Sequence, residues 1–175
     1  MEVEGYLPTL DFNLFGSKCN LNSFYSKIVS DSNSVTFEKT KIEIGPQTVI
    51  DVNGAITDLK TDPSFVFGVR IKDLLAQYAP ADNSFAHGSR IFDKFIPLLQ
   101  VFFDNFNPQG LLDLDVVLTG KVNQIAKTHC KGYLGCKDIS IRYFEFPYLV
   151  EHLAGRIDVT ETSMIMKGLK AAHGK

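Results

Sequence analysis

The sequence contains no tryptophan, only three cysteines and three methionines, and no block of charge of one sign. Three cysteines are an odd and sparse set, which defines no disulfide framework. Eighteen Lys and Arg stand against twenty Asp and Glu, and the resulting charge of −2 excludes a basic field for nucleic acid or anionic lipid headgroups. No run of eighteen apolar residues occurs, so no segment is predicted to span a bilayer. These absences leave an ordinary globular chain of 175 residues, most simply one domain.

Phenylalanine is abundant, with fourteen residues beside six tyrosines. Its side chain offers a large area and no polar group, which suits a dry core or an acyl-chain surface equally well. The first residues, Met1–Glu4, are acidic and do not resemble a secretory leader. Any targeting segment is therefore expected to lie outside this chain.

The most regular stretch is Gly110–Lys121, in which every second residue is apolar. The residues between them include Asp113 and Asp115, and Val117 is the one mismatch on that polar side. Successive side chains of a strand point to opposite faces, so the pattern predicts a strand that buries one row and exposes the other to water. The buried row would consist of Leu112, Leu114, Val116 and Leu118.

Residues 1–71 predict short strands separated by turn residues. Thr48–Ile56 and Phe65–Ile71 carry clear alternating rows, whereas Val35–Ile44 changes phase near Lys39, where a β-bulge would restore the buried face. Strands joined by such short turns favour an antiparallel meander over β-α-β units.

Residues 72–109 predict a helical insert. Lys72–Tyr78 has a short helical pattern, and a second helix is predicted from an N-cap at Ser89 to Phe106, kinked or divided by Pro97. The apolar face of this helix is predicted to cover the sheet through Phe95, Leu98 and Phe102.

Residues 110–175 return to strands. Cys130–Tyr143 predicts a long strand with Ile139, Ile141 and Tyr143 on one face. Pro147 is predicted to interrupt the next segment, with a single turn over Leu149–Leu153, and a last strand begins near Met164. The fold predicted for 1–175 is mainly β: a twisted antiparallel sheet forming an open groove or half-barrel, with a helix covering one apolar face.

The candidate metal ligands are His129, Cys130, Cys136 and Asp138. Zinc-binding cysteines usually stand two to four residues apart, whereas Cys130 and Cys136 are six apart in a β pattern, which separates them by about 20 Å when extended. Unpaired structural cysteines are favoured, with a disulfide at a tight turn and a metal site as the alternatives.

Candidate catalytic groups are few. Asp113 and Asp115 would lie about 7 Å apart on one strand face, a separation compatible with an acid/base pair but more typical of a solvated sheet face. His87, His152 and His173 stand near glycines or helix ends, without a recognised nucleophile. The sequence therefore predicts no enzyme, no cofactor and no metal.

Four segments carry a resemblance to a known family. The residues 110–115 (GLLDLD), 139–148 (ISIRYFEFPY), 153–159 (LAGRIDV) and 169–174 (LKAAHG) resemble the AsmA-like repeat of bacterial envelope proteins. That repeat runs strand, aromatic-Pro, short turn, Leu-x-Gly-x-Ile, strand and Gly. The similarity is clearest over the C-terminal two-fifths of the chain.

The resemblance implies a non-catalytic module that binds or conducts lipid acyl chains along an apolar β-groove. Family members resemble bridge-like lipid carriers, so the expected partners are a phospholipid or other acyl lipid and the neighbouring repeats of a larger parent chain, with no nucleic acid. The expected location is the periplasm, with an inner-membrane anchor, and thus membrane contact, supplied by a segment absent from this chain. The expected role is lipid transport or outer-membrane assembly.

The candidate lining of this groove combines the rows of two predicted strands. It comprises Leu112, Leu114, Val116, Leu118, Ile139, Ile141 and Tyr143, with Phe95, Leu98 and Phe102 covering the groove. The alternative function is a structural module that stacks on neighbouring repeats or on a partner protein.

Overall fold

A computed structural model describes residues 1–7, 10–14, 17–44, 47–76, 97–143 and 145–172. These residues form ten strands, one α-helix and one 3₁₀ segment, Val122–Lys127. The helix, α1, is Pro97–Phe106. The strands are β1 (Glu2–Leu7), β2 (Leu10–Leu14), β3 (Ser17–Ser30), β4 (Val35–Ile44), β5 (Thr48–Thr57), β6 (Ser64–Ala76), β7 (Gln109–Lys121), β8 (His129–Tyr143), β9 (Phe146–Thr160) and β10 (Met164–Ala172).

All ten strands belong to one antiparallel sheet. Nine of them lie in the order β1-β3-β4-β5-β6-β7-β8-β9-β10, and β2 pairs with β3. β1 and β2 follow one another along the same side of β3, because Leu7 pairs with Phe24 and Leu10 with Leu21. Within the described ranges no pairing joins β1 to β10, so the sheet is open rather than a closed barrel. The predicted antiparallel meander is confirmed.

One face of the sheet is apolar across its whole width, and it is called the apolar face below. Nine residues that pair in register across nine strands are all apolar, and together they are called the apolar row. This apolar row spans about 38 Å, because neighbouring strands lie about 4.8 Å apart. It consists of Leu7, Phe24, Ile42, Ile50, Ile71, Leu114, Leu134, Ile157 and Met166.

Bulges keep the apolar face continuous where a strand changes phase. The bulge predicted near Lys39 is confirmed, because the pairing of β4 with β5 shifts between Phe37 and Thr40. Three further register shifts coincide with residues of positive φ: Asp73 in β6, Asp138 in β8 and His152 in β9. Each extra residue is absorbed locally, so that the next apolar side chain returns to the same face.

Two predictions of local structure are wrong. The helix predicted at Lys72–Tyr78 is replaced by strand, since β6 continues to Ala76; positions 77 and 78 lie outside the described residues. The bulge at Asp73 explains the error, because one inserted residue turns an alternating pattern into apparent helical spacing. The predicted break at Pro147 is also absent, since β9 is continuous over Phe146–Thr160. Pro147 lies beyond Glu151, the last β9 residue paired with β10, so its missing N–H interrupts no bond to that strand.

The helix α1 covers part of the apolar face. Its described residues begin at Pro97, and proline suits the first position of a helix. The division predicted at Pro97 stays a prediction, because residues 77–96 lie outside the described ranges. Phe102 is 2% exposed within the core, and the Phe106 ring stacks on that of Tyr143 with centroids 5.2 Å apart. Phe102 therefore packs in the core, and its predicted role of covering a groove stays a prediction. Ser89, Phe95 and the side chain of Leu98 lie outside what the structure describes.

Candidate functional site

The predicted lining residues lie on the apolar face, but most of them are enclosed by protein atoms. Leu112, Leu114, Val116, Leu118 and Ile139 are between 0% and 8% exposed, whereas Ile141 and Tyr143 are half-buried. Side chains this inaccessible form a core with Phe102 of α1 and with neighbours on β6, β8 and β9. The expectation that all seven line an open groove is therefore corrected: five are core residues here. Their contact with lipid stays a prediction.

The accessible part of the apolar face lies on the other half of the sheet. The side chains of the apolar face on β3, β4 and β5 are called the open half below, and its apolar members are half-buried. The Phe37 ring reaches across Gly54 to the edge of the Phe67 ring, with centroids 5.6 Å apart. A Cβ at Gly54 would lie 2.1 Å from the carbonyl oxygen of Val66, so no larger residue fits between these rings. The apolar members of the open half are Phe24, Ile28, Val35, Phe37, Ile42, Ile44, Ile50, Val52 and Ile56.

The polar side chains at the centre of the open half satisfy one another. The hydroxyls of Ser26 and Thr40 are 2.8 Å apart and share a hydrogen bond, and the two residues are 5% and 8% exposed. At the start of β5, the Thr48 hydroxyl donates to the carbonyl oxygen of Asp73 at 3.0 Å. Because these groups already have partners, they require no hydrogen bond from a ligand. The open half is thus chemically suited to hydrocarbon.

The opposite face carries charges. Arg70 Nε donates to Asp115 Oδ2 at 2.8 Å, and Lys137 Nζ lies 2.9 Å from Asp113 Oδ1. Asp158 accepts from Arg156 and Lys167, and these hydrogen bonds lower the pKa of its carboxyl. Asp113 and Asp115 each have a basic partner on a partly exposed face, as the solvated-face prediction requires. The sheet therefore separates an apolar side from an ionic, water-facing side.

The two cysteines of β8 are free, as predicted. They lie on the apolar face, where Cys130 pairs in register with Leu118 and Cys136 with Leu112. Burial raises the pKa of each thiol to about 11, with a smaller contribution from Glu161 at Cys130. Both are therefore core thiols, protonated at neutral pH.

The other candidate ligands lie in exposed histidine–carboxylate hydrogen bonds. His129 Nδ1 is 2.9 Å from Glu161 Oε1, and His152 Nδ1 is 2.7 Å from Asp138 Oδ1. In the described ranges no three His, Cys, Asp or Glu side chains are grouped in a way that could hold a metal ion. His87 and His173 fall outside those ranges.

Sequence reasoning did not select the open half as a site. The alternating rows of β4 and β5 predict strands, but the more regular alternation of β7 and β8 points to those two strands as the candidate lining. The signal available in the sequence was the isoleucine row Ile42, Ile44, Ile50 and Ile56. Alternation reports which face a side chain occupies, and not whether another element covers it.

The fold and this surface define a class of protein: a mainly β chain whose open antiparallel sheet carries a continuous apolar face, partly covered by a short helix. In the described part of the chain, no helix has the length and apolarity to cross a membrane. No protein-family model matches the chain, and neither a curated protein nor a solved structure matches it.

Proposed function

We propose that this chain is a non-catalytic module of the bacterial cell envelope that binds the acyl chains of lipids along the apolar face of its sheet. The observation that carries the proposal is the apolar row, which crosses nine strands without a polar residue and is only half-buried at Phe24, Ile42 and Ile50. The part of the row on β3–β5 is therefore more accessible than the part on β6–β9, where Ile71, Leu114 and Leu134 are 1% exposed.

The binding energy comes from burial of hydrocarbon. Each methylene transferred from water contributes about 0.8 kcal/mol, so ten methylenes on the open half contribute about 8 kcal/mol before the cost of ordering the chain. A hydrocarbon brings no polar atoms, and the Ser26–Thr40 pair at the centre of the surface needs none. The surface therefore favours an acyl chain over a ligand with hydrogen-bonding groups.

The proposed contact lies on the open half and not on the leucine row of β7. A lipid reaching Leu114, which is 1% exposed, would have to displace core side chains. Ile50 is half-buried and adjoins the core at Ile71, its register partner. The acyl chain thus lies over β3–β5 and ends where the core begins.

The setting of the module is proposed from the family resemblance of residues 110–174. Segments of an AsmA-like parent chain would supply the inner-membrane anchor and further repeats, and the module would act in the periplasm in lipid transport or outer-membrane assembly. Its partners in this proposal are a phospholipid or another acyl lipid and the neighbouring repeats.

Site-specific photocrosslinking tests the contact. A photoreactive residue at Ile50 is expected to form an adduct of lipid mass in bacterial cells, because this side chain lies on the open half. The matched control is Val49, the preceding residue of β5, which is also half-buried and aliphatic but points to the ionic face. Lipid adducts at Ile50 and not at Val49 support the proposal. Equal yields at both positions, or no lipid adduct at Ile50, contradict it.

The alternative is a structural module that stacks on neighbouring repeats or a partner protein. The enclosed leucines of β7 favour this alternative, because they behave as the core of a compact domain. The same experiment separates the two functions, since stacking gives a protein adduct at Ile50 and lipid binding gives a lipid adduct.

A further inference from the structure

The two outer strands of the sheet carry opposite charges. Among the described strands, β1 pairs only with β3 and β10 only with β9, so each leaves one side of its backbone without a strand partner. Glu2 and Glu4 are exposed on β1, and Lys167 and Lys170 are exposed on β10. Glu2 and Lys167 already contact Lys27 and Asp158, yet each side chain is 60% exposed and remains accessible to a further partner.

These charges disfavour pairing of like edges. Two β10 strands related by a two-fold axis would bring lysines together, and two β1 strands would bring glutamates together, which is destabilising for residues directly opposite. Pairing of β10 with β1 of another copy can place Lys167 opposite Glu4 instead. The charges therefore select an unlike, head-to-tail contact.

The strand directions permit this contact without inverting the sheet. Nine strands alternate in direction, so β1 and β10 run the same way, and a second copy in the same orientation presents β1 parallel to β10. Placing Glu4 opposite Lys167 places Val3 opposite Met166, both on the apolar face. Parallel pairs are slightly less stable than antiparallel ones, but they occur within mixed sheets.

The apolar row is uncovered at both of its ends. Leu7 on β1 and Met166 on β10 are each 53% exposed, whereas Ile71, Leu114 and Leu134 at its centre are 1% exposed. A copy added at either edge would cover these terminal side chains. The apolar face of one copy would continue into that of the next.

We propose that copies of this chain associate head to tail, with β10 of one copy pairing in parallel with β1 of the next. Such a contact uses two different surfaces and does not close on itself, so it produces open stacks of increasing length. The proposal concerns the edges of the sheet and does not depend on lipid binding. A failure here leaves the proposed function untouched, because the Ile50 crosslink is read separately.

Sedimentation velocity of the 175-residue chain tests the association. At low ionic strength the sedimentation coefficient is expected to rise with protein concentration, and the rise is expected to shrink at high salt because exposed charges are screened. The double variant Lys167→Glu/Lys170→Glu, with two acidic edges, is expected to lose the rise. The double variant Glu2→Lys/Glu4→Lys, with two basic edges, is expected to lose it as well.

An equimolar mixture of these two variants provides the decisive measurement. Each acidic edge of one variant then meets a basic edge of the other, so association is expected to return in the mixture alone. This recovery also shows that both variants are folded, which a loss of association could not show. The control matched to Lys167→Glu/Lys170→Glu is Lys60→Glu/Lys127→Glu, which makes the same change of net charge at exposed positions away from β1 and β10 and is expected to associate like the parent.

Three outcomes overturn the proposal. The first is a parent chain whose sedimentation does not depend on concentration at low salt. The second is an edge variant that associates as strongly as the parent. The third is a mixture that sediments as separate monomers although both variants retain the circular dichroism spectrum of the parent.

Discussion

Replacing Leu114 by alanine tests whether the leucine row of β7 is a core or an exposed lining. Leu114 is 1% exposed and lies between Ile71 of β6 and Leu134 of β8 in the pairing register. Both neighbours are also 1% exposed, and they belong to strands paired on both sides, which limits their collapse into the space left by alanine. Buried Leu→Ala substitutions cost about 2.7–5 kcal/mol, so we expect a loss of about 3 kcal/mol in the free energy of unfolding.

Urea denaturation followed by far-ultraviolet circular dichroism measures this loss. With a urea dependence of about 2 kcal/mol per molar, the midpoint is expected to fall by about 1.5 M. Thermal unfolding is expected about 6–12 °C lower, at about 2–4 °C per kcal/mol for a chain of this size. The control is Val117→Ala on the same strand, which is 45% exposed on the ionic face and should change stability by less than about 0.5 kcal/mol. A loss at Leu114 of less than about 1 kcal/mol, or equal losses in both variants, would refute the assignment of this row to the core.

Three further measurements probe the sheet. With Cys19 replaced by serine, Cys130 and Cys136 of the folded protein are expected to react with a thiol reagent at pH 8 about a hundredfold more slowly than in denaturant, because burial raises their pKa to about 11. Equal reaction rates in the two conditions would contradict the burial of these thiols. Gly132→Ala is expected to lower the free energy of unfolding by about 1–3 kcal/mol, measured in urea, since the added Cβ would lie 2.1 Å from the carbonyl oxygen of Asp115. Its control Gly135→Ala should be tolerated, because the nearest atom to that Cβ is 3.5 Å away. Similar losses of stability in both variants would contradict the packing at Gly132. Asp158→Asn should lower the urea midpoint at neutral pH, because the pKa of this carboxyl in the folded state lies below its unfolded value of about 3.9. The stabilisation by the carboxylate is complete above the unfolded pKa and is lost as the pH falls through the folded pKa. A difference in urea midpoint between parent and variant that persists unchanged at pH 2 would contradict the ion pairs.

The sequence predicted the fold where one physical pattern acts alone. Alternation located β7 and β8 to within one or two residues, and the phase change at Lys39 correctly predicted a bulge, because side chains of a strand have a strict period of two. The same rule failed at Lys72–Tyr78, where the bulge at Asp73 produces a spacing that resembles a helix. It failed again at Pro147, since whether a missing N–H matters depends on which strand lies beside it.

For the candidate site, too, some properties follow from the sequence and others only from the tertiary structure. The sequence by itself determined which side chains share a face and that one face is apolar and the other charged, and it favoured unpaired cysteines at positions 130 and 136 without excluding a disulfide. Only the tertiary structure decided that the β7 leucines are enclosed while Ile42 and Ile50 remain accessible. The physical reason is that the face a side chain occupies is a local property of the backbone, whereas its exposure depends on elements distant in sequence, such as α1, that pack against that face.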